Sequence, residues 1–174
     1  MKKINFSGLP TEQSNPRSKK IDVLSVEGIL ALMNKEDENV PRAVQKVRKA
    51  TGHAVKFIVH SLKNGGRLFF AGAGTSGRLG VIEAAECPPT FNTPPARVQA
   101  VIAGGKQAVF RSKEGAEDRK KEAEKIFRAK IRKGDVLVGI AASGVTPFVG
   151  GALKAAKGRG ARTVLIACNA ASPM

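Results

Sequence analysis

Short apolar segments alternate with longer helical patterns from residue 67 to residue 167 of this chain. Each apolar segment has the length of one strand, and the four of them span 67–71, 98–103, 136–140 and 163–167. Helical patterns separate them, at about 77–87, 117–129 and 147–157. This alternation predicts an α/β fold in three layers, a doubly wound parallel sheet covered by helices on both faces.

The residues before the first strand have a different character. Residues 1–24 are polar and contain prolines, which predicts an N-terminal arm. Ser25 is a good cap for a short helix after the arm. Pro41 suits the first turn of a longer amphipathic helix, which Gly65-Gly66 would end. We therefore expect an arm over 1–24 and one α/β domain over 25–174, in which helices precede the sheet.

Composition excludes several functional classes. No apolar run approaches the roughly 20 residues of a membrane span, and the N-terminus lacks the apolar core of a signal peptide, so the cytoplasm is the expected compartment. The two cysteines and two histidines have no metal-ligand spacing. The sequence therefore predicts neither a metal site nor a cofactor.

The chain carries a formal net charge of +16, which favours an anionic ligand. The basic residues are spread over many segments, and the densest stretch, 119–133, interleaves them with Glu122 and Glu124 as a solvated helix face does. Tyrosine and tryptophan are absent, which leaves few side chains for stacking on bases. Nucleic acid is therefore not the partner that we predict for the main function.

A glycine-rich segment over 72–77 follows the first strand and has the G-x-G-x-x-G pattern. A dinucleotide fold would need an acidic residue about 20 positions later, and residues 91–103 contain none. No Gly-Lys-Ser/Thr of a Walker loop follows either. Thr75 and Ser76 supply two hydroxyls beside backbone N–H groups at a helix start, which predicts a site for a phosphate monoester.

A second loop with small hydroxyl residues follows the third strand, where Ser143-Gly144 and Thr146 occur. Ligands of parallel α/β sheets bind beyond the carboxyl ends of the strands, so both loops should face one site. The alternative is that the glycines and small hydroxyls only allow tight turns. Two such loops on one sheet favour the phosphate site.

Four ordered segments resemble the N-acetylmuramic acid 6-phosphate etherases of the sugar-isomerase (SIS) fold. They are Gly72-Ala-Gly-Thr-Ser-Gly-Arg-Leu-Gly80, Ala85-Glu-Cys-Pro-Pro-Thr90, Glu114-Gly-Ala-Glu-Asp118, and Gly139-Ile-Ala-Ala-Ser-Gly144 with Thr146-Pro147. The resemblance implies a lyase that cleaves the D-lactyl ether of N-acetylmuramic acid 6-phosphate. The products would be N-acetylglucosamine 6-phosphate and D-lactate, in amino-sugar catabolism and peptidoglycan recycling.

The resemblance also implies roles for individual residues. Glu117 would be the base that removes the C2 proton, and Glu86 would be the acid that helps lactate leave. The predicted site for the phosphate and the sugar consists of Gly74, Thr75, Ser76, Gly77, Arg78, Ser143, Gly144 and Thr146. A homodimer with shared sites is the expected assembly.

Three functions stay open from the sequence. The first is the etherase, and the second is a regulator that binds a sugar phosphate on the same fold without reacting. An aldose–ketose isomerase is the third, which the Glu-Cys-Pro-Pro segment disfavours. Family members continue well beyond the position that matches Met174, so the resemblance predicts a domain cut short at its C-terminal end.

Overall fold

A computed structural model describes residues 6–174 of the chain, and the side chains from Ser7 onwards. Four parallel strands form one sheet in the order β2-β1-β3-β4. The strands are β1 (Leu68–Gly72), β2 (Val98–Ile102), β3 (Val136–Ile140) and β4 (Arg162–Ile166). Gly72 at the end of β1 lies opposite Ile102 and Ile140, so these strands end at one level.

Helices occupy most of the remaining chain. They are α1 (Val26–Asp37), α2 (Asn39–Lys46), α3 (Arg48–Lys63), α4 (Gly74–Phe91), α5 (Gln107–Phe110), α6 (Lys120–Lys130) and α7 (Pro147–Gly158). None of the helices in the described part of the chain is long and apolar enough to cross a membrane.

The sheet is buried between two helical layers. On one face, Phe69 and Leu137 pack with Phe127 of α6 and Phe148 of α7. The other face is covered by α3 and α4, whose residues pack against a cluster of strand residues: Leu68, Val98, Val136 and Val138. Strands buried on both faces account for the continuous apolar segments in the sequence. The predicted three-layer α/β fold with N-terminal helices is confirmed.

Helix α4 differs from its prediction at both ends. It begins at Gly74, inside the segment predicted as a loop, and it continues through Pro88 and Pro89. Proline fixes φ at a value that a helix accepts, and it removes only N–H bonds near the end of this helix. The helix ends where Asn92 adopts a left-handed conformation, with φ of 49°.

The N-terminal helices also differ from expectation. One amphipathic helix was predicted from Pro41 to Gly65, and the structure divides it at Val47 into α2 and α3. Residues in α1 and α2 are all at least partly exposed, including Leu30 and Met33. The apolar stripes of these two helices therefore do not reach the core of the sheet.

The predicted arm lies only partly within the described residues, because 1–5 fall outside them. Its remaining residues form short 3-10 turns rather than an extended segment. Asn15 Nδ2 and Arg17 Nη2 donate hydrogen bonds to the Glu36 carboxylate of α1, at 2.8 and 2.7 Å. Hydrogen bonds from Arg17 and then Asn15 hold the pKa of Glu36 below its usual value, so the arm is attached through an ionised carboxylate.

Candidate functional site

A cavity of about 320 Å³ lies at the carboxyl ends of the strands. We call it the strand-end cavity. Segments after β1, after β2 and after β3 line it. The lining residues are Ala73, Gly74, Arg78, Ala103, Ala108, Ser112, Lys113, Glu114, Ala116, Glu117 and Thr146. Its position is the one expected for a ligand site in a parallel α/β sheet.

The start of α4 lines this cavity through Ala73 and Gly74, whereas Thr75 and Ser76, both predicted in the phosphate site, are not among the lining residues. Gly74 has φ of +54°, a conformation that side chains rarely adopt. The first helical hydrogen bond runs from the Gly77 N–H to the Ala73 carbonyl, at 3.1 Å. The N–H groups of Thr75 and Ser76 therefore lie before the first hydrogen bond of the helix. Such N–H groups at the start of a helix can bind phosphate.

Gly77, predicted in the phosphate site, does not line the cavity. A Cβ at Gly77 would lie 2.6 Å from Ile102 Cγ1 and 2.8 Å from the Gly72 carbonyl oxygen. Only glycine therefore allows the first turn of α4 to pack this closely against the ends of β1 and β2. Its role is to fix the position of the start of α4 against the sheet.

The Gly77→Ala variant should lower the free energy of unfolding by about 1–3 kcal/mol, because the new methyl group overpacks this contact. Chemical denaturation measures the change. Gly52→Ala is the matched control, since Gly52 lies in α3 with nothing within 4 Å of an added Cβ. That control should stabilise the protein by up to about 1 kcal/mol. Equal effects of the two variants would contradict the packing role.

Arg78 lines the strand-end cavity and also connects two of the helices around it. Its Nε donates to the Val109 carbonyl oxygen at 2.8 Å, which ties α4 to the short helix α5. Helix α5 was not predicted from the sequence, because four residues carry no periodic signal.

The loop after β3 contributes Thr146 to the cavity. Ser143 and Gly144 do not line it, since their polar groups are used within the loop and its neighbours. The Val145 N–H donates to Ser143 Oγ at 3.4 Å, and the Ser172 hydroxyl donates to the Gly144 carbonyl at 2.6 Å. These two residues hold the loop in place, at a Gly144 φ of +71°.

Glu117 is the acidic residue that sequence reasoning placed in the cavity, and it lies there half-buried. It precedes α6 rather than opening it, and its carbonyl accepts the N–H of Phe148 in α7 at 2.8 Å. This bond holds Glu117 beside Thr146. Its carboxylate has no hydrogen-bond or ion-pair partner among the described residues.

Ser112, Lys113 and Glu114 line the cavity as well, and sequence reasoning did not select them. Lys113 adds a cation and Glu114 adds a carboxylate, so that with Arg78 and Glu117 two cations and two carboxylates line the cavity. One lysine among 30 basic residues has no distinguishing pattern in the sequence, so only the folded chain identifies it.

Glu86 lies away from the strand-end cavity. It is exposed on α4, twelve residues after Gly74, which is roughly 18 Å along a helix axis. Leu79 and Ile82 lie on the same side of α4 at helical spacing, and they are 52% and 55% exposed. A single chain therefore does not bring Glu86 and Glu117 together.

The fold and the cavity define an α/β protein with a cavity at the strand ends, where parallel sheets of this kind bind ligands. A family model described as the glucokinase regulatory protein N-terminal SIS domain matches residues 50–157. The chain belongs to this family of SIS domains.

Curated relatives named N-acetylmuramic acid 6-phosphate etherase match most of the chain, which confirms the resemblance found in the sequence. The relative from Picosynechococcus is 50% identical over 161 residues, covering 92% of this chain and 54% of the relative. The one from Salinibacter ruber is 52% identical over 150 residues, covering 86% and 48%. This chain thus spans about half the length of the curated relatives it matches.

Two solved structures share the fold at low sequence identity. The phosphoheptose isomerase of Neisseria gonorrhoeae matches with a TM-score of 0.66 and 24% identity, covering 82% of this chain and 75% of that one. The enzyme of the same name from Francisella tularensis matches with a TM-score of 0.61 and 22% identity, covering 79% and 74%. These two enzymes have the same sheet and helical layers as this chain.

Proposed function

We propose that this protein cleaves the D-lactyl ether of N-acetylmuramic acid 6-phosphate in peptidoglycan recycling. The observation that carries the proposal is the position of Glu117, which lines the strand-end cavity together with Gly74 at the start of α4 and whose carboxylate has no partner among the described residues. The names of relatives at 50–52% identity support this substrate.

The substrate phosphate would bind at the start of α4. The N–H groups of Thr75 and Ser76, their hydroxyls and the Thr146 hydroxyl are the donors that this role requires. Lys113 and Arg78 line the cavity that Gly74 of this helix start also lines, and their positive charges offset those of Glu114 and Glu117 there. A volume of about 320 Å³ is at the lower end of the range for small-molecule sites, which suits a single phosphorylated sugar.

The two carboxyl groups would divide the chemistry. Glu117 takes the C2 proton, and the electrons of that C–H bond form a C2–C3 double bond. The C3–O bond breaks at the same time, and Glu86 donates a proton to the departing lactyl oxygen. Water then adds at C3, the C2 position regains a proton, and N-acetylglucosamine 6-phosphate and D-lactate are the products.

A homodimer would bring Glu86 to this reaction. Glu86 is exposed, is roughly 18 Å along α4 from Gly74, and has exposed Leu79 and Ile82 beside it. An apolar stripe that carries a functional carboxyl group suits an interface between two copies. We therefore assign Glu86 to the cavity of the partner subunit.

Incubation with N-acetylmuramic acid 6-phosphate and an enzymatic assay of D-lactate test the proposed activity. Lactate release that depends on Glu117 is the expected result. A chain that binds neither this sugar phosphate nor N-acetylglucosamine 6-phosphate in calorimetry would contradict it.

A regulator that binds a sugar phosphate without reacting is the second candidate. The observation in its favour is the family model, which is named for the SIS domain of a regulatory protein. Saturable binding of N-acetylmuramic acid 6-phosphate without lactate release would support the regulator and reject the etherase for this chain.

A further inference from the structure

Helices α6 and α7 form a strongly basic surface on the outside of the sheet. Two adjoining cavities of about 550 and 480 Å³ lie along these helices and share Arg128. We call this surface the α6–α7 groove. Its cationic residues are Lys121, Lys125, Arg128, Lys154, Lys157 and Arg159.

Close packing of the two helices brings these cations together. Ala123 of α6 and Ala152 of α7 are buried in the same core cluster, and such small side chains allow the helix axes to approach. Lys121, Lys125 and Arg128 then share one side of α6 over roughly 10 Å of its length. The cations of α7 and its end line the neighbouring cavity together with Arg128.

Glu124 is the one carboxylate that lines these two cavities. Arg128 Nη2 lies 3.6 Å from it and Lys154 Nζ lies 3.8 Å from it. Six cations against one carboxylate leave a formal charge of +5 on the groove. Cations in the last turn of a helix are stabilised by the helix dipole. Lys121 and Lys125 lie before the last turn of α6, so the dipole does not explain their presence.

We propose that the α6–α7 groove binds the phosphate backbone of nucleic acid without sequence preference. Phosphate contacts by lysine and arginine suffice for binding of this kind. Neither lining contains an aromatic residue, so stacking on bases is not available there. Helices α6 and α7 carry no large exposed hydrophobic side chain. The groove therefore has no apolar side chain to insert into a membrane surface, as helices that bind membranes do.

The groove is separate from the strand-end cavity, since the two share no lining residue. Binding of a polyanion there would therefore be independent of the proposed lyase activity. The proposed substrate carries a single phosphate, and binding it does not require a net charge of +16 on the protein. The cations of the α6–α7 groove account for part of this excess charge.

Fluorescence anisotropy of a labelled 20-base-pair DNA duplex, titrated with the protein at several salt concentrations, tests the proposal. The K125Q/R128Q/K157Q variant should reduce the slope of log K against log salt by about 2.7, at about 0.9 per phosphate contact. The K19Q/K20Q/K49Q variant removes the same charge outside the groove and should keep the wild-type slope. All six side chains are exposed, so both variants should fold.

Three outcomes would overturn the proposal. The first is an equal loss of slope in both variants, which would make net charge the cause. Absence of wild-type binding at 0.1 M salt is the second. The third is groove-dependent binding to phosphatidylglycerol vesicles that is tighter than binding to the duplex, which would assign the groove to a membrane.

Discussion

A one-to-one mixture of Glu86→Gln and Glu117→Gln subunits should recover about a quarter of the wild-type rate of D-lactate release. If Glu86 acts in the cavity of the partner, a mixed dimer has one site with both carboxyl groups and one site with neither. Random pairing makes about half of all dimers mixed, and half of their sites are intact.

Each variant alone should lose about 10²–10⁴-fold in rate, because each lacks one of the two proton-transferring groups. The subunits are mixed under conditions that let dimers exchange, and lactate release is followed with lactate dehydrogenase. Differently tagged subunits verify that mixed dimers form. Mixed dimers without recovered activity would show that both carboxyl groups act within one chain.

Glu83→Gln is the matched control for this experiment. Glu83 precedes Glu86 by one turn of α4 and is exposed as well, so its removal changes the local charge by the same amount. Because it has no assigned proton to transfer, the variant should retain close to wild-type activity. A loss as large as that of Glu86→Gln would assign the effect to the charge of the helix.

The strands were the part of the fold that the sequence predicted best. The predicted β3, 136–140, coincides with the observed strand, because five consecutive apolar or glycine residues between turn signals leave little choice. The predicted end of α4, near residue 87, was wrong, because the helix continues through Pro88 and Pro89 to Phe91. Ala84 and Cys87 pack against the sheet on this helix, and that burial favours its continuation past Pro88.

The sequence predicted those residues of the candidate site that follow directly from the strand ends. Gly74, Glu117 and Thr146 line one cavity because the ends of β1, β2 and β3 lie at one level. The place of Glu86 follows instead from the length and direction of α4, which periodicity indicates only coarsely. Whether a second chain completes the site is a property of the assembly, which no local pattern encodes.

Asp135 shows how a buried charge can organise the opposite end of the sheet. Asp135 directly precedes β3 and was not selected by sequence reasoning. In the structure, the Asp135 side chain has no exposed surface, and it accepts hydrogen bonds from the backbone N–H groups of Arg67 and Arg132, both at 3.0 Å. Arg67 Nη2 donates a third bond at 2.6 Å. The carboxylate thereby joins the starts of β1 and β3.

The Asp135→Ala variant should lower the free energy of unfolding by about 3–5 kcal/mol, because it leaves two N–H donors and the Arg67 guanidinium without their acceptor. Thermal unfolding should then shift downward by roughly 6–20 °C in a domain of this size. Asp135→Asn should recover only part of the loss, since an amide replaces one accepting oxygen with a donor.

Glu122→Gln is the control for Asp135→Ala, because it breaks an ion pair whose two side chains are 48% and 41% exposed. Exposed pairs contribute about 0–1 kcal/mol, so this variant should unfold close to the wild-type temperature. If Asp135→Ala also unfolded within about 1 kcal/mol of wild type, the carboxylate would not be what joins β1 to β3. The strand pairing would then rest on the apolar core of Leu68 and Val136 alone.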